Sequence, residues 1–207
     1  MYLDLFDRNP YAENCWLLAA DGSDEAVAVD PGSDPEAVRG LLDAAGKRLA
    51  AVLLTHAHLD HAQRAGTFAG DAPVYVHADD RPAFDDYGAW GGSGDVVLDR
   101  VLDLRTFVDA DRLHLGGFAI EVLHTPGHTP GSSCFRVGDD VLVCSGDLIF
   151  AGSIGRSDFA NSDPAAMVTS LERFLRLPDE LRVLPGHGPE TAVGAERATN
   201  PFLREVP

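Results

Sequence analysis

The chain has 207 residues, 45% of them hydrophobic, and a formal net charge of −17. This length and apolar content suit one domain with a sizeable core. The acidity repels phosphate backbones and argues against a nucleic-acid partner. No apolar run reaches transmembrane length, so no membrane partner is expected.

The N-terminus, Met1-Tyr2-Leu3-Asp4-Leu5-Phe6, lacks the basic start and long apolar stretch of a signal peptide. Cys15, Cys134 and Cys144 are an odd number in apolar, strand-like surroundings, without a Cys-x-x-Cys pair. They read as reduced core thiols of a cytoplasmic protein.

In chain order, Asn14 to Ala20 and Glu25 to Val29 are apolar strands around the turn signal Asp21-Gly22-Ser23. A short connection of this kind favours an antiparallel hairpin. Asp34-Pro35-Glu36 opens a helix, with Asp34 as N-cap, running to about Ala45 and ending at Gly46. Ala50 to Leu54 is a buried strand, residues 62 to 69 a helix, and Pro73 to His77 a strand. Residues 79 to 112 are less regular. Within them Asp86 to Gly94 carries glycine hinges and two aromatics, and reads as a surface loop or a mobile lid.

From Leu113 the pattern is β again. Phe118 to His124, Ser132 to Val137 and Val141 to Ser145 read as strands, with Gly138-Asp139-Asp140 as a hairpin turn. Asp163-Pro164 starts a helix that carries Met167, Leu171, Phe174 and Leu175 on one face. Leu181 to Leu184 is the last expected strand, before a short helix from about Glu190 to Arg197. Strands followed by helices, twice over, suggest two sheets face to face with helices outside.

The chemistry gathers at turns after apolar strands. The first is Thr55-His56-Ala57-His58-Leu59-Asp60-His61, between the strand and the helix. Imidazole nitrogen and carboxylate oxygen are the ligands that zinc and similar metals prefer. Alternation points His56 and His58 the same way, and Asp60 and His61 can face a second metal position. The other turns hold Gly127-His128, Gly146-Asp147 and Gly186-His187, where glycine permits backbone turns that other residues resist.

The set His-x-His-x-Asp-His with His128, Asp147 and His187 resembles the metallo-β-lactamase superfamily. Thr125-Pro126-Gly127-His128-Thr129, Gly155-Arg156-Ser157-Asp158-Phe159 and Pro185-Gly186-His187-Gly188-Pro189 are similar to its glyoxalase II-like branch. The resemblance implies an α/β fold, a four-layer αββα sandwich. It implies that His56, His58 and His128 hold one divalent metal, that Asp60, His61 and His187 hold another, and that Asp147 bridges them. Zinc is the expected metal, with iron or manganese compatible with the same donors. Asp30, in Val29-Asp30-Pro31-Gly32, resembles a position that hydrogen-bonds the His cluster.

The implied reaction is hydrolysis of a small-molecule thioester by a metal-bridging hydroxide, with Asp60 as the catalytic residue orienting it. Asp147, where many β-lactamases of this fold carry cysteine, argues against an antibiotic-hydrolysing role. The chain ends about twenty residues after His187. The expectation is therefore one hydrolase domain over 1–207, without the helical glutathione-binding domain of glyoxalase II. Lys47 is the only lysine, so a lysine clamp on glutathione is absent. Another low-molecular-weight thiol fits, with Arg156 either binding its carboxylate or pairing with Asp158. Two further readings stay open. One is a persulfide dioxygenase with one iron on His56, His128 and Asp147, and the other is a lactonase. His77, His114 and His124 fit no ligand pattern, and the sequence is silent on oligomeric state.

Overall fold

The computed structural model describes residues 1–92, 96–138 and 142–206. The chain begins with β1 (Tyr2–Phe6), β2 (Cys15–Ala19), β3 (Glu25–Val29), α1 (Pro35–Ala44) and β4 (Arg48–Leu53). α2 (Leu59–Ala62) and α3 (Ala65–Ala69) lead into β5 (Val74–His77), and α4 (Tyr87–Trp90) precedes β6 (Leu104–Phe107). These six strands form one sheet in chain order, antiparallel from β1 to β3 and parallel from β3 to β6.

The second half runs β7 (Arg112–Leu115), β8 (Phe118–His124), β9 (Ser133–Val137) and β10 (Leu142–Gly146). The small β11 (Ile149–Phe150) and β12 (Ser153–Ile154) pair, α5 (Pro164–Phe174), β13 (Arg182–Pro185), β14 (Thr191–Ala192) and α6 (Val193–Thr199) follow. The second sheet has the order β14-β13-β10-β9-β8-β7, with β10 and β13 parallel and the other neighbours antiparallel.

Strand alternation sorts the apolar side chains into three cores. Trp16, Leu18, Val27, Val29 and Leu53 of the first sheet meet Ile120, Val122, Phe135, Val137 and Leu142 of the second. The intervening residues face outward. Leu17, Ala28 and Val52 pack on Val38 and Leu42 of α1 and Phe68 of α3. Leu123, Val143 and Val183 pack on Met167, Leu171 and Phe174 of α5. Both faces of each sheet are therefore covered, which is why β2 reads as an unbroken apolar run. The result is the four-layer αββα sandwich.

The caps behave as their sequence dictates. The Asp34 carboxylate accepts from Ala37 N, and Asp163 accepts from Ala165 N and Ala166 N. All three cysteines are free and buried, and burial pushes the Cys134 thiol up to about 12. Among the described residues no helix is long and apolar enough to cross a membrane.

Several expectations need correction. The helix expected over 62–69 is two short helices, because distant chain takes one of its carbonyls and one of its amides. Asp99 N donates to Gln63 O, and Arg64 N donates to Gly32 O. Strands β6 and β14 and the small β11–β12 pair were not anticipated, and β1 and β7 were expected only as β-type sequence without bounds. β1, β6, β7 and β14 all lie at sheet edges, where half-exposed residues blur the apolar pattern. The expected turn residues Asp139 and Asp140, the strand start Val141, and the loop residues Ser93 and Gly94 lie outside the described residues.

Candidate metal centre

Five of the seven candidate ligands sit just past a strand end, His56 and His58 after β4, His128 after β8, Asp147 after β10 and His187 after β13, while Asp60 and His61 lie in α2. The ligand atoms of His56, His58 and His128 lie within 4.8 Å of one another, as do those of Asp60, His61 and His187. Asp147 stands between the two groups. Its Oδ1 is 3.4 Å from His61 Nε2, and its Oδ2 is 3.5 Å from His128 Nε2 and 3.7 Å from His187 Nε2. Asp60 Oδ2 lies 3.3 Å from His187 Nε2. The structure thus brings all seven candidates into two triads around one carboxylate.

The donor set fits a pair of cations. His56 Nε2, His61 Nε2 and Asp147 Oδ1 are buried without a hydrogen-bond partner. Orphaned polar atoms are costly in a protein interior, and these three face the same small space. In four of the five histidines the opposite ring nitrogen is tied. His61 Nδ1 donates to Asp30 Oδ2 at 3.0 Å, and His128 Nδ1 donates to the Arg156 carbonyl at 2.7 Å. His187 Nδ1 donates to the Ala12 carbonyl at 3.1 Å, and His56 Nδ1 to Thr55 Oγ1 at 3.0 Å. Such partners place a proton on Nδ1 and turn Nε2 toward the space a cation would fill, where His128 Nε2 meets His58 Nδ1 at 2.8 Å.

Asp30 anchors the first sheet's share of the site. It accepts from Thr55 N at 2.7 Å, Thr55 Oγ1 at 2.6 Å and His61 Nδ1. Through Thr55 it also supports His56, so one buried carboxylate orients an imidazole in each triad. Gly127 and Gly146 adopt positive φ, as their turns require, whereas Gly186 does not. Gly186 is small for a different reason: a Cβ there would run into Asp147 Oδ1 and the His61 ring.

Burial, and then the neighbouring imidazoles, hold His56 well below the usual histidine range. Burial and His128 pull His58 down to about 3. Burial also pulls on His61, but Asp147, Asp60 and Asp30 outweigh it and raise that ring well above its usual value. His187 is raised likewise, mainly by Asp60 and Asp147 against burial. The first triad is therefore neutral and ready for a cation, while the second must expel protons to accept one. On acidification from about pH 8 to about pH 5.5 the ion on the Asp60 triad should leave first. Metal content after dialysis across that range, with Asp60→Ala and His58→Ala marking the two positions, checks the order. The reverse order would count against it.

Four supporting residues were not visible in the sequence. Asp80 is buried, accepting from Ala57 N at 3.0 Å, Thr129 Oγ1 at 2.7 Å and Gly131 N at 2.7 Å, so it clamps the His58 loop to the His128 loop. Asn14 Nδ2 and Trp16 Nε1 donate to Pro185 O at 3.0 and 2.9 Å and hold the His187 turn. Glu13 is 1% exposed, and burial pushes its carboxyl well above the usual range. A carboxylate just past a strand end was the available signal for Asp80, which follows β5 by three residues.

The centre opens into a cavity of about 330 Å³ whose walls include Tyr87, Phe150, Ile154, Arg156 and Phe159. Phe159 stands edge-on to His58 and His128, with centroids 5.1 and 5.7 Å away. The Arg156 guanidinium pairs with Asp158 through two hydrogen bonds, at 2.9 and 3.0 Å, and lies over the Phe159 ring. His77, Asp79 and His124 also cluster. The His77 and His124 rings, however, stack at 3.9 Å with 12° between their planes. Near-parallel rings share no point in both planes, so this group does not form a metal site.

Comparison with known proteins decides the family. The model of the metallo-β-lactamase superfamily matches residues 8–187. The chain belongs to that superfamily. Hydroxyacylglutathione hydrolase GloC of Haemophilus influenzae is 32% identical over 209 residues, covering 98% of each chain. The crystal structure of TTHA1623 in a di-iron-bound form is 40% identical, with a TM-score of 0.81, over 98% of this chain and 100% of that one. The BLEG-1 B3 metallo-β-lactamase superposes with a TM-score of 0.85 at 31% identity, over 98% of this chain and 99% of that one. Superfamily membership accords with the four-layer sandwich and with a His/Asp cluster suited to divalent metals.

Proposed function

We propose that this chain is a binuclear metal hydrolase that cleaves a thioester of a low-molecular-weight thiol. The observation that carries the reading is the pair of donor triads around Asp147 at the floor of an apolar cavity. His56, His58 and His128 would hold one cation, Asp60, His61 and His187 the other, with Asp147 shared. Such a pair, when bound, lowers the pKa of water to near neutrality and polarises a carbonyl.

The protein's own groups account for the rest. His61 and His187 hold the Asp60 carboxyl well below its usual range against burial, so it is a charged acceptor able to orient a water. Phe150, Ile154 and Phe159 offer apolar contact to an acyl chain and exclude bulk water. A thiolate leaves without a strong general acid, and no further acid is required at the cavity. Arg156 would receive a carboxylate on the thiol. Its present partner, Asp158, is as exposed as Arg156 itself, and a solvent-screened pair of this kind exchanges readily for another carboxylate. We take the whole of 1–207 as one hydrolase domain acting in the cytoplasm.

A thioester panel tests this on protein of measured metal content. It should include glutathione and other thiol carriers, a lactone and a β-lactam. Thioester turnover with about two cations per chain supports the reading. Turnover of the lactone alone replaces it with a lactonase. A single iron per chain with oxygen uptake on a persulfide replaces it with the dioxygenase, an outcome that the di-iron form of TTHA1623 makes worth measuring.

A further inference from the structure

The α4 turn carries a polar group that the reading above leaves unused. Tyr87 is 5% exposed, yet its ring forms part of the cavity wall over the metal centre. Its hydroxyl oxygen accepts from Leu59 N at 3.1 Å, the amide lying between His58 and Asp60. No acceptor for its own proton occurs among the described residues. A buried hydroxyl normally finds a partner for its proton, and Tyr87 borders the cavity together with Leu59, whose amide it receives, and Asp60.

The placement is built, not incidental. Asp86 caps the α4 turn by accepting from Ala89 N at 2.9 Å, and Gly92 N donates to Tyr87 O at 2.9 Å. A side chain at Gly92 would occupy the space of the Tyr87 ring, so glycine there lets the backbone close over the ring. Trp90 packs beside Tyr87 at 5.7 Å and edge-on to His58 at 5.7 Å, locking the ring between the loop and the His cluster. A preorganised donor beside a reacting carbonyl costs no reorganisation when charge develops.

We infer that the Tyr87 hydroxyl donates a hydrogen bond to the carbonyl oxygen of the bound acyl group and strengthens it as negative charge builds there. This rests on the acyl-hydrolase reading and adds to it a specificity-determining donor. No proton is transferred: the phenol stays protonated and the bond to Leu59 N is kept. Burial, together with Asp60 and Asp80, pushes the phenol up to about 12, in keeping with a permanent donor.

The experiment compares wild type with Tyr87→Phe on the best thioester of the panel and on its dithioester, whose C=S accepts hydrogen bonds weakly. Metal content and melting temperature are followed in both proteins. On the thioester, kcat should fall about tenfold to hundredfold with KM changed less than about threefold. On the dithioester the two proteins should differ less than about threefold. Calorimetric titration of the metal-loaded proteins with the carboxylate product should show Tyr87→Phe binding about fivefold or more weakly.

Equal kcat on the thioester, or an equal loss on both substrates, would overturn the inference and leave Tyr87 a packing residue. If wild type turns over no thioester, the proposed function fails. Tyr87 is then judged by acetate binding to the two loaded proteins, where equal affinities would overturn it separately.

Discussion

Asp147→Ala is expected to cut turnover at least about a thousandfold and to lower the metal held from about two ions per chain to about one or fewer. The size of the effect follows from its position. Each other ligand candidate belongs to one triad, whereas the Asp147 carboxylate faces His61, His128 and His187 at 3.4–3.7 Å. Its removal takes a negative ligand from both positions at once. Asp60→Ala and His58→Ala should each cost at least about a hundredfold, because each strips one triad and leaves the other intact. Steady-state kinetics on protein of measured metal content distinguishes the three. Full metal content and wild-type rates in any of them would remove that residue from the assignment.

Asp30→Asn carries the second large effect, although Asp30 touches neither substrate nor cation. Its two oxygens take three donors, Thr55 N, Thr55 Oγ1 and His61 Nδ1. An amide keeps the size and, like Asp, tolerates the left-handed backbone at φ 52, so strain is not the variable. What changes is one acceptor oxygen, replaced by an NH₂ that must face a buried donor. That mismatch and the lost charge should cost about 3 kcal/mol of stability in the metal-free protein, read by chemical denaturation. They should also weaken metal binding about tenfold to hundredfold, read by chelator competition. A variant with unchanged affinity would show that His56 and His61 are oriented by packing alone.

The legible part of this fold is the part written in local chemistry. Both helix caps, Asp34 and Asp163, lie beside prolines in short-range signals, and both cap as expected. Strands covered on both faces stand out by their apolar runs: all of β2, Leu49 to Leu53 of β4 and Leu142 to Cys144 of β10. Edge strands such as β7 alternate with exposed residues and blend into loop composition. The break between α2 and α3 has no local cause, since it comes from amides and carbonyls of residues 32 and 99. The turn glycines were visible, but Gly186 answers to crowding by Asp147 and His61, a contact between residues far apart in the chain.

The same division holds at the site. Ligand types, their spacing and their place in turns after strands are properties of the sequence, and the resemblance they carry is what put forward the seven candidate donors and Asp30. Which atom of each ring faces inward, and what holds it there, is decided by carbonyls at Ala12 and Arg156 and by the Asp30–Thr55 pair. Asp80, Asn14, Trp16 and Tyr87 look ordinary in the sequence because their partners lie in other loops. The sequence by itself determined the donor chemistry and the layered fold, since both rest on residue type and short-range periodicity. Only the tertiary structure decided the aim of each donor and the walls of the cavity, because hydrogen bonds across loops and packing between sheets leave no periodic trace.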